Sequence, residues 1–379
     1  MEFVIERVAF LNGLGMVQGI VERRNTVPIL GHVLLEADGD RLQLSATDLE
    51  VGIRTEVACE AGGKGSLTLS ARKLFEVVRE AEGDKLTLKA LDNDWFELKC
   101  GRARFKMMGL DPRSFPAMPA QNAAANNDSR KKTKGALKIA SEMLATMVDR
   151  TIFAVSPDEA RYNLSGVYIE SPQAGVVRMV ATDGHRLSMI DREVEGFTMQ
   201  GGSIVPRKGL AELRKLLDQA GDPLSELVID GQLASLRRGR TEVSMRLVEG
   251  EFPDYRGVVP KESRYQITIK RQELLNSIKR AAIFSNERFH GVKLAFADGT
   301  LTVSSTSPET GEASETIDID FKGDEFAVGF NASYLQQVLS VLGDGEATAT
   351  LGLTDDVSPG VFTTESDSGF KYVVMPMRL

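Results

Sequence analysis

Two cysteines, three histidines and a single tryptophan are all that 379 residues hold of those types. Cys59 and Cys100 imply no disulfide framework and are expected as reduced, core or half-buried thiols. Neither makes a zinc site, because none of His32, His185 and His290 stands at ligand spacing from a cysteine. No apolar run approaches the roughly 20 residues that cross a bilayer, so no membrane partner is expected. The start, Met1-Glu2-Phe3-Val4-Ile5-Glu6-Arg7, has no basic stretch followed by an apolar one. No secretory signal is read from it, and a cytoplasmic location is expected. A P-loop, a His-Glu-x-x-His pair and a nucleotide-binding glycine turn are missing too, and neither metal nor cofactor is expected. Excess positive charge is also lacking: the net charge of −8 argues, as a sum, against a nucleic-acid partner.

What the chain does have is repetition. Hydrophobic content of 42% and charged content of 26% are ordinary for a soluble globular protein. Within that composition, Leu42-Gln43-Leu44-Ser45-Ala46-Thr47-Asp48 returns as Val177-Arg178-Met179-Val180-Ala181-Thr182-Asp183. It returns more loosely as Leu301-Thr302-Val303-Ser304-Ser305-Thr306-Ser307. With Thr47, Thr182 and Thr306 as markers, the copies stand 135 and 124 residues apart. A repeat of that length buries its own core, so it reads as a duplicated domain rather than a solenoid unit. The division expected is 1–128, 129–260 and 261–379.

Each repeat reads as two halves, a helix followed by strands. The first has helices over about 6–21, with Val8, Leu11, Leu14 and Val17 apolar, and over about 71–82. The second has them at about 141–153 and 207–220, the third at about 271–284 and 332–342. Alternating strands joined by short turns such as Ala37-Asp38-Gly39-Asp40 follow each helix, which favours antiparallel sheet. The fold class is therefore α+β, three domains of two helices packed on antiparallel sheets. Polar segments from Pro119 to Gly135, with Arg130, Lys131, Lys132 and Lys134, and from Val259 to Ser263 read as linkers, the first as a mobile connector.

The net charge hides an uneven distribution. Arg7, Arg23, Arg24, Arg72, Lys73 and Arg79 lie around the first repeat's helices. Arg150, Arg207, Lys208, Arg214 and Lys215 lie around the second's, and Lys270, Arg271, Lys279 and Arg280 around the third's. Acidic residues such as Asp318, Asp320, Asp324 and Glu325 gather in strands and loops. Any one helix-surface cation is ordinarily just solvated; recurrence in all three repeats points to a shared basic surface.

Several strings are more specific: Thr26-Val27-Pro28-Ile29-Leu30-Gly31, Ala181-Thr182-Asp183-Gly184-His185-Arg186-Leu187-Ser188, Phe252-Pro253-Asp254-Tyr255, Ser285-Asn286-Glu287, Gly329-Phe330-Asn331 and Tyr372-Val373-Val374-Met375-Pro376-Met377-Arg378-Leu379. Together, and over the whole chain in order, the sequence resembles the bacterial sliding clamps, the β subunits of the DNA polymerase III holoenzyme. The resemblance implies a head-to-tail homodimer closing into a six-domain ring around duplex DNA, held without sequence specificity. It also implies a non-catalytic processivity factor that serves the polymerase III catalytic subunit, the clamp loader and other proteins carrying a clamp-binding motif. A ring holds DNA by topology, so a weak basic lining suffices despite the net negative charge.

Carried over residue by residue, the DNA-facing positions are Arg24, Arg72, Lys73, Arg207 and Lys208. The partner-peptide pocket becomes Leu164, Thr182, Gly184, His185, Arg186, Leu187, Pro253, Val258, Phe289, Asn331, Tyr334, Val357, Val374, Met375, Pro376, Met377, Arg378 and Leu379. The dimer contact pairs Phe105 and Met107 with Ile283 and Phe284. Two positions depart from the family pattern: a DNA-contacting glutamine falls on Asp158, and an often basic pocket position is Gly257.

Taken singly these features have plainer readings. Asp183-Gly184 is a hairpin turn, the Met-Pro-Met tail a fraying terminus, and the four interface residues ordinary core. A hydrolase built from Asp183, His185 and Ser188 is disfavoured, because a triad converges from separate segments and these share one turn. A peptide-binding scaffold unconnected to DNA would share the pocket but has no need of basic helices in every repeat.

Overall fold

The structure is a computed structural model that describes residues 2–21, 26–119, 133–158, 160–219, 221–286, 289–343 and 347–378. One pattern, strand–helix–three strands, occurs six times. The first half-repeat is β1 (Glu2–Glu6), α1 (Arg7–Val17), β2 (His32–Asp38), β3 (Arg41–Thr47) and β4 (Val51–Ala58), followed by the short β5 (Glu60–Ala61). The second is β6 (Gly65–Ser70), α2 (Ala71–Glu80), β7 (Lys85–Ala90), β8 (Trp95–Cys100) and β9 (Ala103–Met108). The third is β10 (Thr133–Ala140), α3 (Ser141–Ile152), β11 (Gly166–Glu170), β12 (Val176–Thr182) and β13 (Arg186–Glu193). The fourth is β14 (Gly202–Pro206), α4 (Arg207–Asp218), β15 (Leu224–Asp230), β16 (Leu233–Arg238) and β17 (Thr241–Arg246). The fifth is β18 (Tyr265–Lys270), α5 (Arg271–Ala282), β19 (Gly291–Ala297), β20 (Thr300–Ser307) and β21 (Gly311–Asp318). The sixth is β22 (Phe326–Asn331), α6 (Ala332–Val341), β23 (Thr348–Leu353), β24 (Gly360–Thr363) and β25 (Phe370–Val374).

The six helices fall where the periodicity expects them, but the six leading strands β1, β6, β10, β14, β18 and β22 are an addition to the sequence reading. Each runs into its helix without an intervening residue, so no separate turn segment marks where the strand ends. The last part of the expected first linker is β10, while residues 120–132, with Arg130, Lys131 and Lys132, lie outside the described residues. Of the apolar residues expected on α1, Leu14 and Val17 are buried, but Val8 is 58% exposed and Phe10 is buried in its place. Gly13 keeps α1 close to the sheet, since a Cβ there would stand 2.8 Å from Val57 Cγ2. In the third copy the exposed Thr306 is passed over, and the buried Ser307 accepts from Glu309 N at 3.4 Å.

Leading strands are exchanged between the halves of a repeat. β1 pairs with β7 and β6 with β2; β10 pairs with β15, β18 with β23 and β22 with β19, all antiparallel. The exchange is locked at helix starts by one bond found three times. Arg7 N donates to Asp84 O at 2.7 Å, Ser141 N to Pro223 O at 2.7 Å, and Arg271 N to Ala347 O at 3.1 Å. Each places the start of a repeat's first helix against the segment that leaves its second. Arg271, 4% exposed, adds a bond to Leu339 O at 3.0 Å, on a last-turn carbonyl that its own helix leaves unpaired.

The residues form two compact units, Met1–Ala145 with Val205–Leu247, and Thr146–Ile204 with Val248–Leu379. The division passes through the second repeat because its strands pair outward. In the first unit β17 pairs with β4, giving the eight-stranded order β10-β15-β16-β17-β4-β3-β2-β6 beside a five-stranded sheet β5-β1-β7-β8-β9. In the second, β13 pairs with β25, giving β14-β11-β12-β13-β25-β24-β23-β18 beside a four-stranded sheet β21-β20-β19-β22. Phe3, Phe10, Leu35 and Leu42 fill the core of the first unit, and Phe296, Phe330, Phe362, Phe370 and Tyr372 that of the second. Cys59 and Cys100 are free and buried, as expected, and burial pushes both thiols up.

Leu335 on α6 is 0% exposed. Leu335→Ala should cost about 2–5 kcal/mol of unfolding free energy, lost transfer energy plus an unfilled cavity. Urea unfolding measures it, and a cost under about 1 kcal/mol would contradict the packing described for that helix.

Candidate docking site

The second unit carries most of the expected pocket, and strand register decides which side chains face outward. Val361 lies opposite Val373, Val373 opposite Leu187, and Leu187 opposite Thr182. Tyr168 lies opposite Val180, and Val180 opposite Met189. Directly opposed residues share a sheet face, so these rows make one outer surface. Val180, Leu187, Met189, Tyr255, Val361 and Val373 form a single cluster there, with Tyr168, Phe252 and Val259 packed against it. The rim is open: Val258 is 39% exposed, Phe289 56%, Val357 70% and Met375 38%. Large apolar side chains at such exposure around a packed floor suit a ligand that brings its own apolar groups.

The other face of the same strands is turned inward, and Arg186 is there, 7% exposed. Its Nε donates to Asp183 Oδ2 at 3.0 Å, one terminal nitrogen to Gln337 Oε1 at 2.5 Å, and the other to Phe153 O at 2.7 Å. The guanidinium lies 4.3 Å from the Tyr334 ring centre and 5.5 Å from that of Phe153. A buried cation needs pairing, and each nitrogen of Arg186 has a partner, drawn from three segments of the unit: the β12–β13 turn, α6 and the residue after α3. Burial pushes the Tyr334 hydroxyl up, with Arg186 opposing the shift. Tyr372 is pushed up too, again by burial, and its hydroxyl donates to Tyr334 O at 3.2 Å.

Side chains hold the turn between β12 and β13. Thr182 Oγ1 donates to Arg186 O at 2.6 Å and accepts from Gly184 N at 3.1 Å. Asp183 Oδ1 accepts from His185 N at 2.9 Å and from Arg186 N at 3.1 Å. Gly184 has φ +89°, a conformation natural to glycine. The tail follows from this turn: Met375 N donates to His185 O at 2.9 Å and Met377 N to Gly329 O at 2.9 Å. Met375–Met377 are therefore pinned at both ends. Asn331 caps α6 by accepting from Ser333 N at 2.9 Å and Tyr334 N at 3.4 Å, and its Nδ2 donates to Phe289 O at 3.4 Å.

Of the expected pocket positions, these contacts bring together Thr182, Gly184, His185, Arg186, Leu187, Phe289, Asn331, Tyr334, Val374, Met375 and Met377. Pro253 is exposed in the Phe252–Tyr255 segment that covers the floor, and Val258 N bonds Tyr255 O at 3.0 Å. Leu164 ends the turn Tyr162–Leu164 and is 8% exposed. Val357 stands on a turn held by Asp355, Pro376 is half-buried and Arg378 exposed. Leu379 lies outside the described residues. The sequence reading missed the floor residues Val180, Met189, Tyr255, Val361 and Val373, and the partners of Arg186. Tyr255 and Val373 stood within the quoted strings; which face they occupy is a matter of register. Beside the floor, on the same sheet face, the Tyr255 hydroxyl donates to Glu170 Oε1 at 2.5 Å and accepts from Arg178 at 3.2 Å. Burial pushes it up to about 12.

In the first unit Arg72 and Lys73 lie in the first turn of α2, and Arg207 and Lys208 in that of α4. Neither first turn holds an acidic residue. Cations there oppose the helix dipole, which favours negative charge at an N-terminus. Such local cost is expected where side chains serve something outside the helix. Arg24 lies outside the described residues. Phe105 and Met107 are half-buried along β9, Ile283 is 72% exposed and Phe284 half-buried, so none is ordinary core.

Comparison with known proteins agrees with this layout. Residues 1–119, 138–254 and 256–378 match the N-terminal, central and C-terminal domains of the DNA polymerase III beta subunit. The beta sliding clamp of Caulobacter vibrioides is 35% identical over 385 aligned positions, covering 100% of both chains. The crystal structure of the DNA polymerase sliding clamp from Pseudomonas aeruginosa superposes with TM-score 0.89 at 33% identity over 100% of each chain. A structure of that organism's clamp bound to griselimycin gives 0.90 at 34% identity, again over 100% of each chain.

Tyr255 yields a pH prediction. Its folded value of about 12 lies above the unfolded value of about 10, so the neutral phenol stabilises the fold. That contribution is complete below pH 10 and is lost as pH rises from about 10 through 12. Ultraviolet titration should show a phenolate forming late, missing from Tyr255→Phe, whose unfolding free energy should fall less steeply over the same interval. A Tyr255→Phe titration identical to that of the parent would remove the late group from this site.

Proposed function

The chain belongs to the DNA polymerase III beta subunit family, the bacterial sliding clamps, and from that premise we propose that it encircles duplex DNA as a ring and tethers the replicative polymerase. The observation that carries this reading is the fate of the last strands. Six half-repeats end in β4, β9, β13, β17, β21 and β25. Four of these pair with one another, β4 with β17 and β13 with β25. β9 and β21 are left at sheet edges. Exposed strand edges invite pairing, and equivalence with the two internal junctions makes β9 of one copy the natural partner of β21 of another. A head-to-tail contact of this kind generates a closed ring when the rotation closes.

Side chains support the pairing. β9 carries Arg104 and Lys106, and β21 carries Glu312, Glu315 and Asp318. Phe105 and Met107 offer half-buried apolar surface at one edge; Ile283 and Phe284, at the end of the helix beside β21, offer it at the other. The three domains are 1–128, 129–260 and 261–379. The DNA-facing cations are Arg24, Arg72, Lys73, Arg207 and Lys208. They bind phosphate weakly and without regard to sequence, as a sliding contact requires.

Partner proteins dock as short peptides over Leu187, Val361 and Val373, between rim residues that include Phe289 and Met375. The chain itself is non-catalytic; polymerase activity belongs to the partner, and its effective concentration at the template is raised by the tether. Among the described residues no helix is long and apolar enough to cross a membrane; the place of action proposed is the cytoplasm, where the DNA template lies.

Topology gives the test. Loaded by clamp loader and ATP onto nicked circular duplex, the protein should remain bound through gel filtration at raised salt and be lost once the circle is cut, because salt screens ionic binding but not linkage. Equal loss from circle and linear DNA would refute the ring and leave a peptide-binding scaffold as the better account. Leu187→Ala combined with removal of Met375–Leu379 should weaken a fluorescent clamp-binding peptide by at least about tenfold, as expected when a central apolar anchor site is lost. Unchanged peptide affinity would displace the docking site from this surface.

A further inference from the structure

Glu76 lies on α2 one turn beyond Arg72 and Lys73, with its side chain 32% exposed against 66% and 71% for theirs. Its Oε1 accepts from Arg72 Nε at 2.9 Å and its Oε2 from Lys73 Nζ at 3.1 Å. A single carboxylate thus holds both cations. On α4 cations are also paired, though each with its own carboxylate: Lys208 with Asp48 at 2.5 Å, Lys215 with Glu212 at 2.6 Å, and Arg214 with Asp218. Helix stability does not explain the arrangement. Basic residues in the first turn oppose the dipole, and a cation placed N-terminal to its carboxylate is the weaker order of an i,i+4 pair.

Space beside the pair is also present. Arg72, Glu76, Arg79 and Phe75 line a concavity of about 480 Å³ together with Gln18 and Ser70. That is ample for a phosphate group, which would meet an Arg72 whose Nε the carboxylate already holds.

We propose that Glu76 is a counter-charge that competes with the phosphodiester backbone for Arg72 and Lys73, and so sets the friction with which this surface slides along duplex DNA. The proposal rests on the reading of Arg72 and Lys73 as DNA-facing. Phosphate contact then becomes an exchange of one anion for another. The ions released on binding are fewer than two bare cations would release, and the salt dependence is correspondingly shallow.

Single-particle tracking of the full-length protein, loaded on stretched duplex over a range of salt, tests this. Glu76→Gln keeps the side chain's shape and removes its charge. It should slow diffusion by about 1.5- to 5-fold at low salt, the range that an exposed ion pair is worth. It should also steepen the salt dependence by up to about one counterion per cation released. Arg72→Ala with Lys73→Ala should speed diffusion, and adding Glu76→Gln to that pair should change nothing further. Unchanged diffusion of Glu76→Gln alongside faster diffusion of the double variant would overturn the role of Glu76 and leave the DNA-facing reading intact. Unchanged diffusion of both would overturn the two together. Equal slowing by Glu76→Gln in the presence and absence of the cations would show overall charge at work and overturn competition for them.

Discussion

Backbone pairing between the last strands of half-repeats is the constraint on which the rest depends. A terminal strand has a row of unpaired donors and acceptors that must find partners or water. Joining β4 to β17 and β13 to β25 satisfies those rows and extends each four-stranded set to eight. It also fixes register, and a slip of one residue would turn every side chain to the opposite face. Leu187 and Val373 therefore look outward into the candidate docking surface while Arg186 and Val374 look inward. The tail is set by the same ladder, since Met375 N continues it onto His185 O at 2.9 Å.

The two internal junctions show how much is scaffold and how much is function. At the first, Thr47 Oγ1 donates to Val51 O at 2.9 Å and Val51 N to Asp48 Oδ1 at 2.7 Å. These repeat the bonds of Thr182 and Asp183 to Arg186. Arg246 N donates to Glu50 O at 2.8 Å, as Met375 N does to His185 O. The floors differ. Gly52 stands opposite Ser244 where the second junction has Leu187 opposite Val373. Met118 covers Gly52 so closely that a Cβ there would lie 2.5 Å from its Cε. Duplication supplied the turn and ladder twice, and the apolar outer row once. Leu49, with φ +81° where the other turn has Gly184, keeps a strained backbone in the filled copy.

Charge follows a different logic from packing. Arg271 is a cation at a helix start that is buried and serves the fold, by bonding the end of its neighbouring helix. Arg72, Lys73, Arg207 and Lys208 occupy comparable positions near helix starts, yet stay at or near the surface. The same residue type at the same helical position thus divides into structural and outward-facing roles according to whether a carbonyl or solvent lies beyond it. No count of basic residues separates the two.

The sequence by itself determined the threefold repeat, the six helices and the α+β class, because 3.6-residue and 2-residue periodicities follow directly from where apolar side chains recur. Strings around Asp183, Phe252 and Met375 also named most of the residues that the structure gathers at the candidate site. Tertiary structure alone decided the six leading strands, which run straight into their helices and gain their partners from the other half of the repeat. It alone decided that Val361 and Val373 join Leu187, since a cross-strand neighbour is chosen by register between segments far apart in the chain. The burial of Arg186 is of the same kind: an arginine in a hairpin reads as surface until Asp183, Phe153, Tyr334 and Gln337 converge on it. Local periodicity is written in consecutive residues, whereas the pairing of distant backbone groups exists only once the chain has closed on itself.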